Sequence, residues 1–171
     1  NLVLGILFTA VVLFMFLHSW RGTVIAAVAM PTSIVSTFIL LDAAGFTLNI
    51  MSLMGLSISV GILVVNAIVV LENIERLRLK EGLDAKKAAS VGTQQVTVAV
   101  AASTLTNIVV FTPMAFMAGI IGPIFRQFGL TVAFATIFSL LVSFTLTPMM
   151  ASRKMKAQLY VIAALVMLVA V

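Results

Sequence analysis

Four polar residues recur at a seven-residue spacing within an aliphatic stretch: Ser52, Ser59, Asn66 and Asn73. Seven residues are close to two helical turns, so on a helix these side chains form one polar stripe. Hydroxyl and amide groups in such a row can hydrogen-bond, line a path for an ion or polar solute, or hold helices together. Asn66 lies deepest. A buried amide in lipid is costly unless partnered, which leaves two readings open, a part in transport or an interhelical hydrogen bond. Gly55 and Ser59 make a small-xxx-small pair that admits a close helix neighbour, so this face is expected to point into a bundle. Further along, Ser103 and Asn107 lie four residues apart. Their shared face is the candidate partner for the stripe, with a plain packing contact as the alternative.

Other chemistry finds little support. The sequence lacks a G-x-x-x-x-G-K-[ST] loop, an H-E-x-x-H pair, a G-x-S-x-G elbow and any carboxylate pair in an apolar stretch, so an enzyme is not expected. Zero cysteines exclude disulfides and thiolate metal sites. Ten methionines are the only soft ligands, and seven of them (Met30, Met51, Met54, Met114, Met117, Met149 and Met150) sit mostly near helix ends and read as adaptable packing. No metal site and no cofactor is expected. His18, beside Trp20 and Arg21, reads as interfacial rather than as a proton carrier.

The elements that must position these residues follow from composition. Hydrophobic residues make up 63% of the 171, charged residues only 9%, and the mean hydropathy is +1.28, far outside soluble composition. The charges sit in short clusters separated by apolar runs, and about 20 apolar residues cross a hydrocarbon core of about 30 Å. The runs predict an all-α, polytopic transmembrane helix bundle with five full spans and a partial sixth. The spans are placed at Leu2 to Leu17, Thr23 to Leu41, Ile50 to Arg76, Gln95 to Met117 and Phe128 to Met150, with a further helix starting near Gln158. Residues 1–157 thus form the bundle, with a solvated loop at 76–91, and 158–171 start another span. Pro31, followed by Thr32 and Ser33, predicts a local kink. Gly82 reads as a helix stop and Asp84 as a cap. The turn Ala118 to Pro123 is expected to end the fourth span by glycine and proline chemistry. Thr131, Thr136, Ser139, Ser143, Thr145 and Thr147 are small hydroxyls typical of helix interfaces.

Alternate threading puts nine of the ten basic residues on one side and only Arg126 on the other, with Asp42. The positive-inside rule makes the nine-residue side cytoplasmic. The net charge of +5 therefore serves orientation beside apolar spans, and a nucleic-acid partner is not expected. Asn1 opens directly into an apolar run without a basic leader or cleavage site, so a signal peptide is not expected and the start of the protein is expected upstream.

The stretch Gly61-Ile-Leu-Val-Val-Asn-Ala-Ile-Val-Val-Leu-Glu-Asn-Ile-Glu-Arg76 resembles the fourth transmembrane helix of resistance-nodulation-division (RND) transporters. Phe16-Leu-His-Ser-Trp-Arg-Gly-Thr23 looks like the turn between their second and third helices. Phe111-Thr-Pro-Met-Ala-Phe-Met-Ala-Gly119, Phe125-Arg-Gln-Phe-Gly-Leu-Thr131 and Leu146-Thr-Pro148 are similar to parts of their fifth and sixth. The five motifs occur in family order over nearly the whole chain. The resemblance implies a proton-driven exporter of amphiphilic, drug-like compounds in the bacterial inner membrane. It also implies a homotrimer working with a periplasmic adaptor and an outer-membrane channel.

The family usually carries an acidic pair in the fourth helix that takes up and releases the coupling proton, and the matching positions are Val65 and Asn66. Neither titrates. Two readings follow. If the bundle serves an active exporter with relocated coupling groups, Asn66 should face titratable or cation-binding groups from another helix. If it is a structural or regulatory subunit, Asn66 should be sealed among Ser and Thr hydroxyls. The first is favoured, because Ser59, Asn66 and Asn73 keep a polar line through the membrane. The family's first helix, periplasmic domains and second half have no counterpart in this sequence, so it reads as a fragment.

Overall fold

The computed structural model describes residues 8, 11–15 and 19–153, and every element given a range is helical. The first span lies largely outside the described residues, and His18 and the helix starting near Gln158 lie wholly outside them. Helix α1 runs Trp20–Ala43, α2 Ile50–Lys80, α3 Ala85–Phe111, α4 Gly122–Phe144 and α5 Leu146–Ser152, with a 3₁₀ turn at Thr112–Phe116. Counting α3 with its 3₁₀ turn and α4 with α5, four helical stretches among the described residues are long and apolar enough to cross a membrane.

Ser19 caps α1, its Oγ accepting from the Gly22 N–H at 3.2 Å. The helix continues through Pro31 to Ala43 without a break. The hydroxyls beside the proline turn back on their own helix, Thr32 donating to the Val28 carbonyl and Ser33 to that of Ala29. Asn49 begins α2 with a reciprocal cap: its Oδ1 accepts from the Met51 and Ser52 N–H groups, while Ser52 Oγ accepts from the Asn49 N–H. At 31 residues α2 is about 46 Å long, more than lipid requires, and it ends a turn beyond the expected Arg76. Gly82, at φ +64°, then reverses the chain, and Asp84 caps α3 through the Lys86 N–H as its position suggests.

Three further boundaries differ from expectation by a turn or more or break an expected span. Helix α3 begins at Ala85, ten residues before Gln95, so the loop placed at 76–91 shrinks to the connector 81–84. Lys86 and Lys87 are sound helix formers, and a helix carries on into water after the lipid ends. Helix α4 begins at Gly122, six residues before Phe128. Gly119, at φ +87°, makes the turn, while Pro123 falls in the first turn of α4, where its missing N–H has no partner to lose. The last span is broken at Thr145, between α4 and α5. Pro148 cannot bond back to the Phe144 carbonyl and its ring clashes there.

Helix α4 is the hub, packing against α1, α2 and α3, most extensively against α2. Near the outer end, contact depends on missing side chains. A Cβ at Gly55 would lie 3.0 Å from Thr131 Cβ, and one at Gly129 would lie 2.6 Å from the Phe111 carbonyl oxygen. Toward the end that carries Arg21, Arg76 and Arg78 a larger apolar core takes over, built from Ile25, Met30, Leu71, Ile74, Leu77 and Met150. Gly92 rests there on the Ile74 backbone, 3.1 Å from where its Cβ would stand.

Arg21 fastens the two ends of the described bundle. Its Nη2 donates to the carbonyls of Ala151, at 2.8 Å, and Arg153, so a cation meets the last carbonyls of α5. Arg21→Gln in the full-length protein is expected to cost about 1–2 kcal/mol. A thermal melt should show this as a drop of a few degrees, partly restored by Arg21→Lys; an unchanged melt would mean that the contact carries no stability.

Candidate functional site

The seven-residue stripe does lie on one face of α2, with Ser52, Ser59 and Asn66 buried and Asn73 half-buried. Its members do different jobs. Ser52 belongs to the cap of α2. Ser59 Oγ turns back on its own helix and donates to the Gly55 carbonyl at 2.7 Å. Neither offers its hydroxyl to another helix.

Asn66 does. It is 2% exposed, and its Nδ2 donates to Thr104 Oγ1 of α3 at 3.3 Å and to Ser139 Oγ of α4 at 3.2 Å. Thr104 and Ser139 are buried too, so three helices meet at one amide. Among the described residues no ionisable side chain bonds to Asn66. The acidic side chains lie at the membrane-flanking ends: Asp42 at the end of α1, and Glu72, Glu75, Glu81 and Asp84 around the connector. The cluster can stitch helices, or offer hydroxyl and amide oxygens to a small cation, but it cannot exchange a proton near neutral pH.

The expected partner face on α3 is corrected by one position. Ser103 is exposed and Asn107 half-buried, while Thr104 is the residue turned to the stripe. One residue is about 100° around a helix, enough to move a side chain from the interface to its flank. Ser103 and Asn107 do share a side, but nothing in the sequence fixes which side α3 presents. Ser139 was among the hydroxyls read as interface residues, and its neighbours Thr131, Thr136, Ser143 and Thr147 are buried as well; Thr145, at the helix break, is exposed. Val65 is 54% exposed and points away from the described bundle.

At the arginine-rich end of α2, Asn73 Nδ2 donates to the Gly92 carbonyl at 2.7 Å and to Gln95 Oε1 at 3.0 Å. Its Oδ1 accepts from Arg76 Nε and Nη2. Arg76 continues to Gln95 Oε1 and to Glu81 at 3.4 Å. Glu72, four residues before Arg76, is not its ion-pair partner among the described residues, because α2 runs past Arg76 and brings Glu81 at its end within reach. Glu75 pairs instead with Arg78, at 3.7 Å. The stripe thus ends in a knot of amide and guanidinium groups joining α2 to α3.

The sequence profile of the AcrB/AcrD/AcrF family matches residues 1–160. Similar proteins include the multidrug resistance protein MdtC of Escherichia coli, 44% identical over 92% of this chain, and those of Photorhabdus laumondii, at 42%, and Pectobacterium atrosepticum, at 41%. The chain spans 15% of the length of each of these relatives. A match over nearly the whole chain, joined to a multi-helix bundle and to the five motifs of the sequence, leads to one assignment: the chain belongs to the AcrB/AcrD/AcrF family of RND transporters.

Proposed function

We propose that this chain is the helix bundle of one half of an RND pump in the bacterial inner membrane, exporting amphiphilic, drug-like compounds by ion-coupled secondary transport. Family membership carries the reading, and relatives named for multidrug resistance supply the substrate class. The pump works as a homotrimer with a periplasmic adaptor and an outer-membrane channel. The bundle has no catalytic role, and its coupling groups lie in the part of the protein beyond this chain, since Val65 and Asn66 cannot titrate. The stripe Ser59, Asn66 and Asn73 serves that pump by fixing the packing of α2, α3 and α4.

One observation favours a second reading, a structural or regulatory subunit without coupling: Asn66 bonds to the hydroxyls of Thr104 and Ser139 and to no ionisable group among the described residues. Export of a fluorescent amphiphile from sealed vesicles holding the full-length protein separates the two. Wild type is expected to export under an imposed proton or sodium gradient and not without one. Asn66→Ala, which loosens three helices at once, is expected to lower that rate several-fold. No gradient-dependent export of several substrates, with trimers still assembling, would favour the structural reading.

A further inference from the structure

The outer end of the bundle carries an open depression of about 410 Å³. Phe46, from the loop between α1 and α2, forms one side; Phe116 and Met117, from the end of the 3₁₀ turn, form another; Pro123, Arg126 and Gln127 close it from the first turns of α4. Gln127 is a fixed wall, since its Nε2 donates to the Thr47 carbonyl at 3.2 Å and its Oε1 accepts from Asn49. Arg126 is the opposite case. It is exposed, and among the described residues it makes no hydrogen bond and no ion pair, whereas Arg21, Arg76 and Arg78 at the other end all have partners. Asp42, the other charge on this side, does not pair with it, and the first turn of α4 holds no acidic residue.

The surroundings of this free guanidinium are apolar. Phe116 is 82% exposed, Ile120 at the tip of the neighbouring turn is 96% exposed, and Ile121 and Ile124 are exposed as well. A cation held over apolar surface, where helices leave the hydrocarbon, matches a lipid that presents a phosphate above its acyl chains. Arginine suits that phosphate because its planar fork donates two parallel hydrogen bonds. The volume lies toward the small end of ligand sites, which run from about 300 to 1,000 Å³. It suits a phosphate and glycerol with the acyl chains running out over Phe116 and Ile120.

We propose that this depression seats a phospholipid of the outer leaflet, with its phosphate on Arg126 and its glycerol and first acyl carbons against Phe46, Phe116 and Met117. The seat needs only that the bundle spans a membrane, so a protein with no export activity would still show it.

The test is native mass spectrometry of the purified full-length protein titrated with phosphatidylglycerol, comparing wild type with Arg126→Gln and Arg126→Lys. Wild type is expected to retain one more phosphatidylglycerol per chain than Arg126→Gln, whose apparent affinity at that site should fall about ten-fold, with Arg126→Lys between them. Diacylglycerol of the same chain length, which lacks the phosphate, should not distinguish the three. Equal retention of phosphatidylglycerol by wild type and Arg126→Gln would overturn the proposal. So would a lower melting temperature of Arg126→Gln with an unchanged lipid count, because that result assigns Arg126 to a carboxylate elsewhere in the protein.

Discussion

Gly129→Ala is expected to destabilise the full-length protein by roughly 1–3 kcal/mol, although it adds a single methyl group to a helix and improves helix propensity. The added carbon would stand 2.6 Å from the Phe111 carbonyl oxygen and 2.9 Å from Met114 Cβ, where α4 crosses the end of α3. One of the obstacles is backbone, so no change of rotamer relieves it. Met114→Ala should therefore fail to rescue Gly129→Ala, and Gly129→Val should be worse, with folded protein lost from the membrane. Melting in detergent and the yield of assembled protein measure both effects. A neutral Gly129→Ala, or rescue by Met114→Ala, would show that α4 can move off α3 at little cost, and the outer half of the bundle would then be looser than its contacts imply.

The second large effect is expected from Asn66→Asp, which changes the charge state of the cluster but hardly its shape. Burial disfavours an ionised carboxylate, by about 2.5–3.5 kcal/mol at the centre of a span. The hydroxyls of Thr104 and Ser139 can rotate to donate to it and offset part of that cost. In acid the group is neutral and can donate to one of those hydroxyls much as the amide does. The stability of Asn66→Asp should thus stay near that of wild type at low pH and fall as pH rises and the proton leaves. Wild type, with an amide at the same place, should show no such added slope. Asn66→Leu should lose about 1 kcal/mol at every pH, the scale of interhelical hydrogen bonds in membranes. Parallel pH slopes for wild type and Asn66→Asp would mean that water reaches position 66, contrary to its burial. If Asn66→Asp also changes the ion that drives export in vesicles, α2 lies on the coupling path.

Much of this fold was legible in the residues. The apolar run opening at Ile50 marked the start of α2, Gly82 and Asp84 marked the hairpin to α3, and the seven-residue spacing put Ser59 and Asn66 on one buried face. The boundaries that differed share a cause. Apolar runs record where lipid ends, whereas helices end where hydrogen bonding and sterics stop them. Lys86 and Lys87 therefore looked like loop while sitting in the first turn of α3, and Pro123 looked like a stop while starting α4. Pro148 carried a real signal for the break at Thr145, masked by apolar residues on either side. The choice of Thr104 over Ser103 was not legible at all. Both are small hydroxyl residues on one helix, and only the rotation of α3 against α2 and α4 decides which of them reaches the amide.

The contacts between Arg21 and the carbonyls of Ala151 and Arg153 join residues 130 and 132 apart. An even number of crossings returns the chain to the face it left, and these contacts return it to the same spot. The four-span unit is thus nearly a closed ring. Its two attachment points are adjacent, and Leu13, from the segment before α1, packs into the same core. Segments continuing beyond Arg21 and Arg153 would leave from one small area on the same face of the bundle, so a pull on one would bear on the other.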